Sequence, residues 1–203
     1  SALRDIIRAG KIPIEGTQCF ERDSPSSGNL RLVRRFLAPA ALELYDALKA
    51  SAGTGRLGQL ADVGIGYVTG VNAFFHLSER AATEYRIPGS LLRPAIRRGR
   101  DLIGTKCTLA DWAARKAQGE GVHLLHIPPG TTLEGGAWEY VQLGERQGVH
   151  RAYKCRIRSP WYSVPHVYCP DAFLSYMSGS SPKLASNELG AVAPNSLLMV
   201  RLL

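Results

Sequence analysis

Glycine recurs at Gly64, Gly66 and Gly70 within residues 62–76 (DVGIGYVTGVNAFFH), and this spacing constrains the chain more than any other feature. Val63, Ile65, Tyr67 and Val68 supply β-prone bulk between the glycines, so the run reads as a strand entering a tight turn. A residue without Cβ suits a backbone that bends sharply or approaches another segment closely. Thr69 and Asn72 put small hydrogen-bonding side chains in and just beyond the turn. Val71, Phe74 and Phe75 then read as a second apolar strand returning to the core. Downstream, residues 88–104 (PGSLLRPAIRRGRDLIG) gather Arg93, Arg97, Arg98 and Arg100. A turn offering Thr and Asn beside four arginines suits a polyanion.

The rest of the chain fits an ordinary globular protein. It has 203 residues, 45% hydrophobic and 21% charged, which allows a proper core and excludes global disorder. The formal charge of +8 implies attraction to phosphate backbones or anionic surfaces. No apolar run is long enough to span a bilayer, and no charged-then-apolar leader opens the chain, so a membrane partner has no support. Cys19, Cys107, Cys155 and Cys169 lie far apart with no C-x-x-C pair, which argues against a zinc ribbon and for reduced thiols in a cytoplasmic protein.

In chain order, residues 2–9 read as a helical fragment and residues 11–29 as an irregular arm. Residues 29–36 read as a short element whose Arg31, Arg34 and Arg35 are solvated. Pro39 opens a helix to about Ser51, with Leu37, Ala41, Leu44 and Leu48 along one side and Gly53 at its end. Gly53, Gly55 and Gly58 match G-x-G-x-x-G. The dinucleotide fingerprint needs a strand before it and a helix after it, the reverse of the order read here, so the glycines form a linker. Ser78 caps a helix from Glu79 to about Tyr85. Thr108 and Asp111 form a capping box for a helix to about Gln118, with Leu109, Trp112 and Ala113 facing inward and Arg115 and Lys116 complementing its dipole. Residues 122–127 and 137–143 read as strands between glycine-rich loops.

Residues 151–158 give the sharpest strand pattern. Tyr153, Cys155 and Ile157 alternate with Lys154, Arg156 and Arg158, placing three cations on one face about 6–7 Å apart, near the phosphate spacing of a nucleic-acid strand. Two readings of that face stay open: a phosphate grip, or charges that protect an edge strand. Trp161 and Tyr162 follow with flat surfaces. Residues 171–177 read as strand or short helix, and residues 197–203 as a final strand.

The quoted segments carry a resemblance. Residues 63–77 with 91–104 (VGIGYVTGVNAFFHL, LLRPAIRRGRDLIG) resemble the G-x-x-TG-x-N-x-F opening of the target-recognition region in N6-adenine DNA methyltransferases, the TaqI-type and related enzymes of restriction–modification systems. Residues 153–177 and 185–203 supply a second match in the right order, so the two cover roughly the last two-thirds of the chain. The resemblance implies double-stranded DNA as partner, and a catalytic methyltransferase domain in the same polypeptide that uses S-adenosylmethionine. It places Thr69, Asn72, Arg97, Arg98 and Arg100 on one backbone-gripping edge, and Lys154, Arg156, Arg158 and Trp161 on the opposite lip. Base readers would come from the middle segment: Gln142, Glu145, Arg146, Gln147, His150 and Arg151.

That chemistry needs an Asn/Asp-Pro-Pro-Tyr/Phe motif for the target base and a glycine motif for the cofactor. The one Pro-Pro here, Pro128-Pro129, lies between Ile127 and Gly130, which cannot do that work. No catalytic residue, metal or cofactor is therefore assigned to this chain, although its parent would be an enzyme. The expected fold is α+β, a twisted mixed or antiparallel sheet with short peripheral helices. Residues 1–58 would be a helical lead-in from a missing catalytic domain, and residues 59–203 a DNA target-recognition domain truncated at its C-terminus. Two rivals remain. One is the specificity subunit of a multi-subunit restriction system. The other is a small hydrolase built on a Cys155–His166 pair, or on a metal held by some of His123, His126, Cys155, His166 and Cys169.

Overall fold

The computed structural model describes residues 38–176 and 181–203. The expected helical fragment, the arm and the Arg31–Arg35 element lie outside the described residues, as do Met177 and the three residues after it. The chain divides into two units, Ser1–Thr54 and Gly55–Leu203. In the first, helix α1 (Pro39–Ala50) begins with its proline where a missing N–H costs nothing, and exposes Leu44, Tyr45 and Leu48.

The second unit is α+β, as expected. Its larger sheet has the order β1-β8-β6-β7-β4. Strands β1 (Ala61–Ile65), β8 (Leu197–Leu202), β6 (Ala172–Ser175) and β7 (Leu184–Asn187) pair antiparallel in turn, and β4 (Lys106–Cys107) joins β7 in parallel. The register aligns Gly64, Met199, Phe173 and Ala185 across four strands. Phe173, Met199 and Ala185 are wholly buried there, with Ile96, Leu102 and Leu197 in the same core. A smaller antiparallel sheet sets β5 (His123–Leu125) between β2 (His76–Leu77) and β3 (Leu92–Pro94). All three β5 residues are buried, the pattern of a central strand. Isolated parallel bridges pair Tyr67, just past β1, with Pro194, just before β8, and Ala95, just past β3, with Val192.

Local chemistry sets two helices as the sequence implies. Ser78 Oγ accepts from the Ala81 amide to start α3 (Glu79–Glu84). Thr108 and Asp111 exchange bonds at the start of α4 (Leu109–Ala117). The face of α4 differs from the expectation. Leu109 is 64% exposed and Ala113 is exposed, Trp112 is half-buried, and the buried residue is Arg115. Arg115 turns inward because two carboxylates, Asp101 and Glu120, receive it.

Three expected strands are helical. Residues 71–75 form α2 (Asn72–Phe75), since the Val71 carbonyl accepts from both Phe74 and Phe75 amides. Residues 137–143 lie in α5 (Gly135–Arg146), whose buried Ala137, Tyr140, Val141 and Gly144 repeat at i, i+3, i+4, i+7. Residues 151–158 span a 3-10 turn (Val149–Arg151) and α6 (Tyr153–Arg156). Alternation misled there because Tyr153 and Ile157 are 63% and 60% exposed, leaving Cys155 alone to bury. The evenly spaced row of cations on a strand face is therefore replaced by a helical turn.

Aromatic packing joins α5 to α2. The Phe74 ring stacks on Tyr140 at 4.6 Å and lies 5.5 Å from Trp161, while Tyr140 Oη donates to the Phe74 carbonyl at 2.8 Å. Gly144 lets those rings close over the helix, since a Cβ there would come within 2.7 Å of Phe74 and Trp161 ring carbons. Gly144→Ala gains about 1 kcal/mol of helix propensity but overpacks two rings, at the upper cost of about 3 kcal/mol, so a net loss of about 2 kcal/mol is expected. Denaturant unfolding checks this, and a variant as stable as the parent would contradict the ring packing.

Candidate nucleic-acid interface

The turn after β1 is built from backbone contacts. Gly66 donates to the Leu197 carbonyl at 3.3 Å and Tyr67 to that of Ala193 at 3.1 Å. Any Cβ at Gly66 would collide with the Ala193 and Pro194 carbonyls. Gly70 adopts φ +90°, and a Cβ there would lie 2.8 Å from Lys154 Cβ. The turn thus presses directly on α6.

Side chains complete the junction. Thr69 is buried and its hydroxyl donates to Asn72 Oδ1 at 2.6 Å, leaving the Asn72 amide group exposed. Arg158 donates through Nη1 to the Thr69 carbonyl at 2.9 Å and through Nη2 to the Val68 carbonyl. Cys155 Sγ also reaches the Thr69 carbonyl, at 3.6 Å. Thr69, Asn72, Lys154 and Arg158 are therefore one contiguous patch rather than two lips of a cleft. Arg158 and Thr69 hold the turn's shape, while Asn72, Lys154 and Arg156 face outward.

Behind the turn, Tyr67 Oη lies 2.9 Å from His76 Nε2, and His76 Nδ1 lies 3.2 Å from the Asn72 carbonyl. Burial and the neighbouring Arg97 guanidinium lower His76 from 6.5 to about 4. Burial raises the Tyr67 hydroxyl well above its ordinary range. Both groups are neutral near pH 7, with the tyrosine donating to an unprotonated Nε2.

The arginine turn is held from below. Asp101 Oδ2 accepts from the Arg97 and Arg98 amides at 3.2 and 2.8 Å and pairs with Arg115 at 3.0 Å. Arg115 also meets Glu120 at 2.6 Å. Burial outweighs the Arg115 guanidinium and lifts the Asp101 carboxyl above its usual range. Arg98 and Arg100 are exposed at the surface of this turn. Arg97 is half-buried, with Nη1 beside Gly121 and its charge acting on Tyr67 and His76. Asp101 and Arg115, which order this segment, escape sequence reasoning. The one local signal is Asp101 at the third position of the 3-10 turn Gly99–Asp101.

The middle residues sit at the C-terminal end of α5 and just beyond it. Gln142, Glu145 and Arg146 lie off its buried stripe, and Gln147 and Arg151 are exposed. Glu145 accepts from Trp161 Nε1 at 3.1 Å. Trp161 itself is half-buried against Phe74, Phe75 and Tyr162, with His150 at 6.2 Å. Its ring therefore belongs to the packing and does not stand free beside the cations. Among the described residues, Arg146, Arg151, Lys154, Arg156 and Arg158 form no salt bridge. A cleft of about 740 Å³ opens beside the turn, lined in part by Lys154, Arg158, His126 and His166.

The residues considered for hydrolysis or metal binding do not converge. His123 Nε2 lies 2.7 Å from Glu79 Oε2, and Cys155 is fully buried with its thiol pushed up by burial, the opposite of an activated nucleophile. Among the described residues no three His, Cys, Asp or Glu side chains are grouped to hold a metal ion.

Residues 30–203 match the family model of the C-terminal domain of type II methyltransferase M.Eco57I. The chain belongs to that family. Over 123 residues it is also 26% identical to type II methyltransferase M.AccI of Acinetobacter calcoaceticus. That match takes in 61% of this chain and 22% of M.AccI, so the chain corresponds to a minor part of its relative. As a methyltransferase C-terminal domain, it has the mixed α+β architecture described above. Among its described residues no helix is long and apolar enough to cross a membrane.

Proposed function

We propose that this domain recognises the DNA target of an N6-adenine methyltransferase in a restriction–modification system. The observation that carries the reading is the pair of cations Lys154 and Arg156, which form no salt bridge among the described residues, on a helical turn locked to the Thr69–Asn72 turn. Surface cations that lack carboxylate partners and sit on a fixed scaffold are suited to phosphates. Arg98 and Arg100, on the turn that Asp101 clamps, add a second contact to the backbone. Exposed Arg146, Gln147 and Arg151 and half-buried Gln142 carry donors and acceptors for base edges. Transfer of the methyl group from S-adenosylmethionine belongs to a catalytic domain of the parent polypeptide, and the cytoplasm is the compartment this reading implies. A specificity subunit would serve a similar role, but the matched family is one of methyltransferases, which favours the first reading.

Anisotropy titrations with duplex DNA at several salt concentrations test it. Affinity should fall steeply with salt, and Lys154→Ala or Arg156→Ala should each reduce the logarithmic slope by about 1 on all sequences. Arg146→Ala or Gln142→Ala should instead relax specificity at one base pair, by about 1–3 kcal/mol. An affinity that does not change with salt would refute the phosphate grip.

A further inference from the structure

We infer that the cleft beside the turn is a binding site for a single nucleotide, an anionic ligand with a flat ring. This goes beyond a duplex grip, which needs no enclosed cavity. The cleft's volume of about 740 Å³ lies within the range of roughly 300–1,000 Å³ occupied by small-molecule sites. Its walls are apolar and rigid, with Pro128, Pro129 and Pro165 facing the space together with Val68, Val164 and Val167. Such surfaces accept the face of a base. Among the described residues no Asp or Glu lines the cleft, so none of them repels a phosphate there.

The polar groups complete the chemistry. Lys154 is exposed and forms no salt bridge among the described residues, with Nζ 5.4 Å above the Tyr153 ring. Its ammonium is the available anchor for a phosphate. Arg158 is held in place by the Val68 and Thr69 carbonyls, so its charge is a fixed positive contribution at the wall. His126 is half-buried and kept below the usual imidazole range by burial and by Arg93. Near pH 7 it is neutral, offering one donor and one acceptor to a base edge.

The ligand has two possible sources, a free nucleoside monophosphate or a nucleotide unstacked from DNA. Calorimetric titration of the 203-residue chain with adenosine, guanosine, cytidine and thymidine monophosphates tests the site itself. At least one should bind with Kd below about 1 mM, and its nucleoside and inorganic phosphate at least about tenfold more weakly. Ile157 and Pro129 are exposed wall residues on separate segments, so Ile157→Glu and Pro129→Glu bring a carboxylate into the cleft with little risk to the fold. Each should weaken binding at least about tenfold. Failure of all four monophosphates to bind overturns the proposal, as does undiminished binding by a folded Glu variant. Duplexes with and without one unpaired nucleotide separate the sources. Preference for the unpaired form, competed by the monophosphate, assigns the site to DNA, and equal binding assigns it to the free nucleotide. A steep salt response without monophosphate binding would sink this inference alone and leave the duplex reading standing.

Discussion

Arg115→Met is expected to cost the domain about 3–5 kcal/mol of stability, the range for removing one partner from a buried ion pair. The Arg115 and Asp101 side chains are 8% and 7% exposed, so neither charge recovers water when the other is lost. Methionine keeps much of the volume, which isolates the electrostatic effect. Asp101 would still accept from the Arg97 and Arg98 amides, but its charge would be buried without a counter-ion. Because burial already raises its pKa, mild acid should narrow the deficit by protonating it. Glu120 is 39% exposed, so its share of the network is screened and contributes little. Arg115 Nη1 is buried with no hydrogen-bond partner among the described residues, which favours the lower end of the range. The double variant Asp101→Asn/Arg115→Met should recover part of the loss, since an amide oxygen can still hold the turn. Chemical unfolding of the single and double variants measures both terms. A loss below about 1 kcal/mol for Arg115→Met would mean that water reaches Asp101.

The same clamp shows how far sequence could lead. An arginine near a helix C-terminus reads as a solvated partner of the dipole, and nothing local reveals that Asp101 waits behind it. Arg158 likewise reaches the Thr69 carbonyl 89 residues away, a contact that residue spacing cannot carry. Features held by neighbours in sequence were legible: the Ser78 cap, the Thr108–Asp111 box, the buried β5 run and the last strand. The turn at Thr69 and Gly70 was legible too, because only glycine there leaves room for Lys154. The misread segments failed for a common reason. Short segments such as the apolar 71–75 and the alternating 153–157 are too brief to separate a period of 2 from one of 3.6. In α5 the helical period was present in Ala137, Tyr140, Val141 and Gly144, but the loop read at Gly135 and Gly136 cut it to a piece short enough to read as a strand. Gly136 sits there because its backbone touches the Tyr85 carbonyl, a tertiary reason that overrides propensity.

Acid should destabilise this domain through His76 before most of its carboxylates titrate. His76 Nδ1–H donates to the Asn72 carbonyl while Nε2 accepts from Tyr67, so the folded state fixes one neutral tautomer. Charging the ring would set a second proton against the Tyr67 donor, in a buried site beside Arg97. The folded pKa is accordingly about 4 against 6.5 for a free imidazole. Above pH 6.5 the ring is neutral in both states and contributes no pH dependence. Below that value the unfolded chain takes the proton first, and stability falls as pH falls, by about 1.4 kcal/mol per pH unit. The fall ends near pH 4, where the folded state also binds the proton, for a total on the order of 3 kcal/mol. Asp101, whose pKa is raised, works with the opposite sign, so the comparison must be made within one background. His76→Gln retains an acceptor for Tyr67 and removes the titration. It should cost about 1 kcal/mol near pH 7 and flatten the stability profile between pH 6.5 and 4. An NMR titration of the His76 ring with a midpoint near 6.5 would show instead that the ring is open to solvent. Because Tyr67, whose hydroxyl would meet the added proton, leads into the turn proposed to meet DNA, the same protonation should loosen that turn. Duplex affinity of the parent sequence should then hold from pH 6 to 5 and fall as pH approaches 4, where the folded ring takes its proton, and that of His76→Gln should stay level.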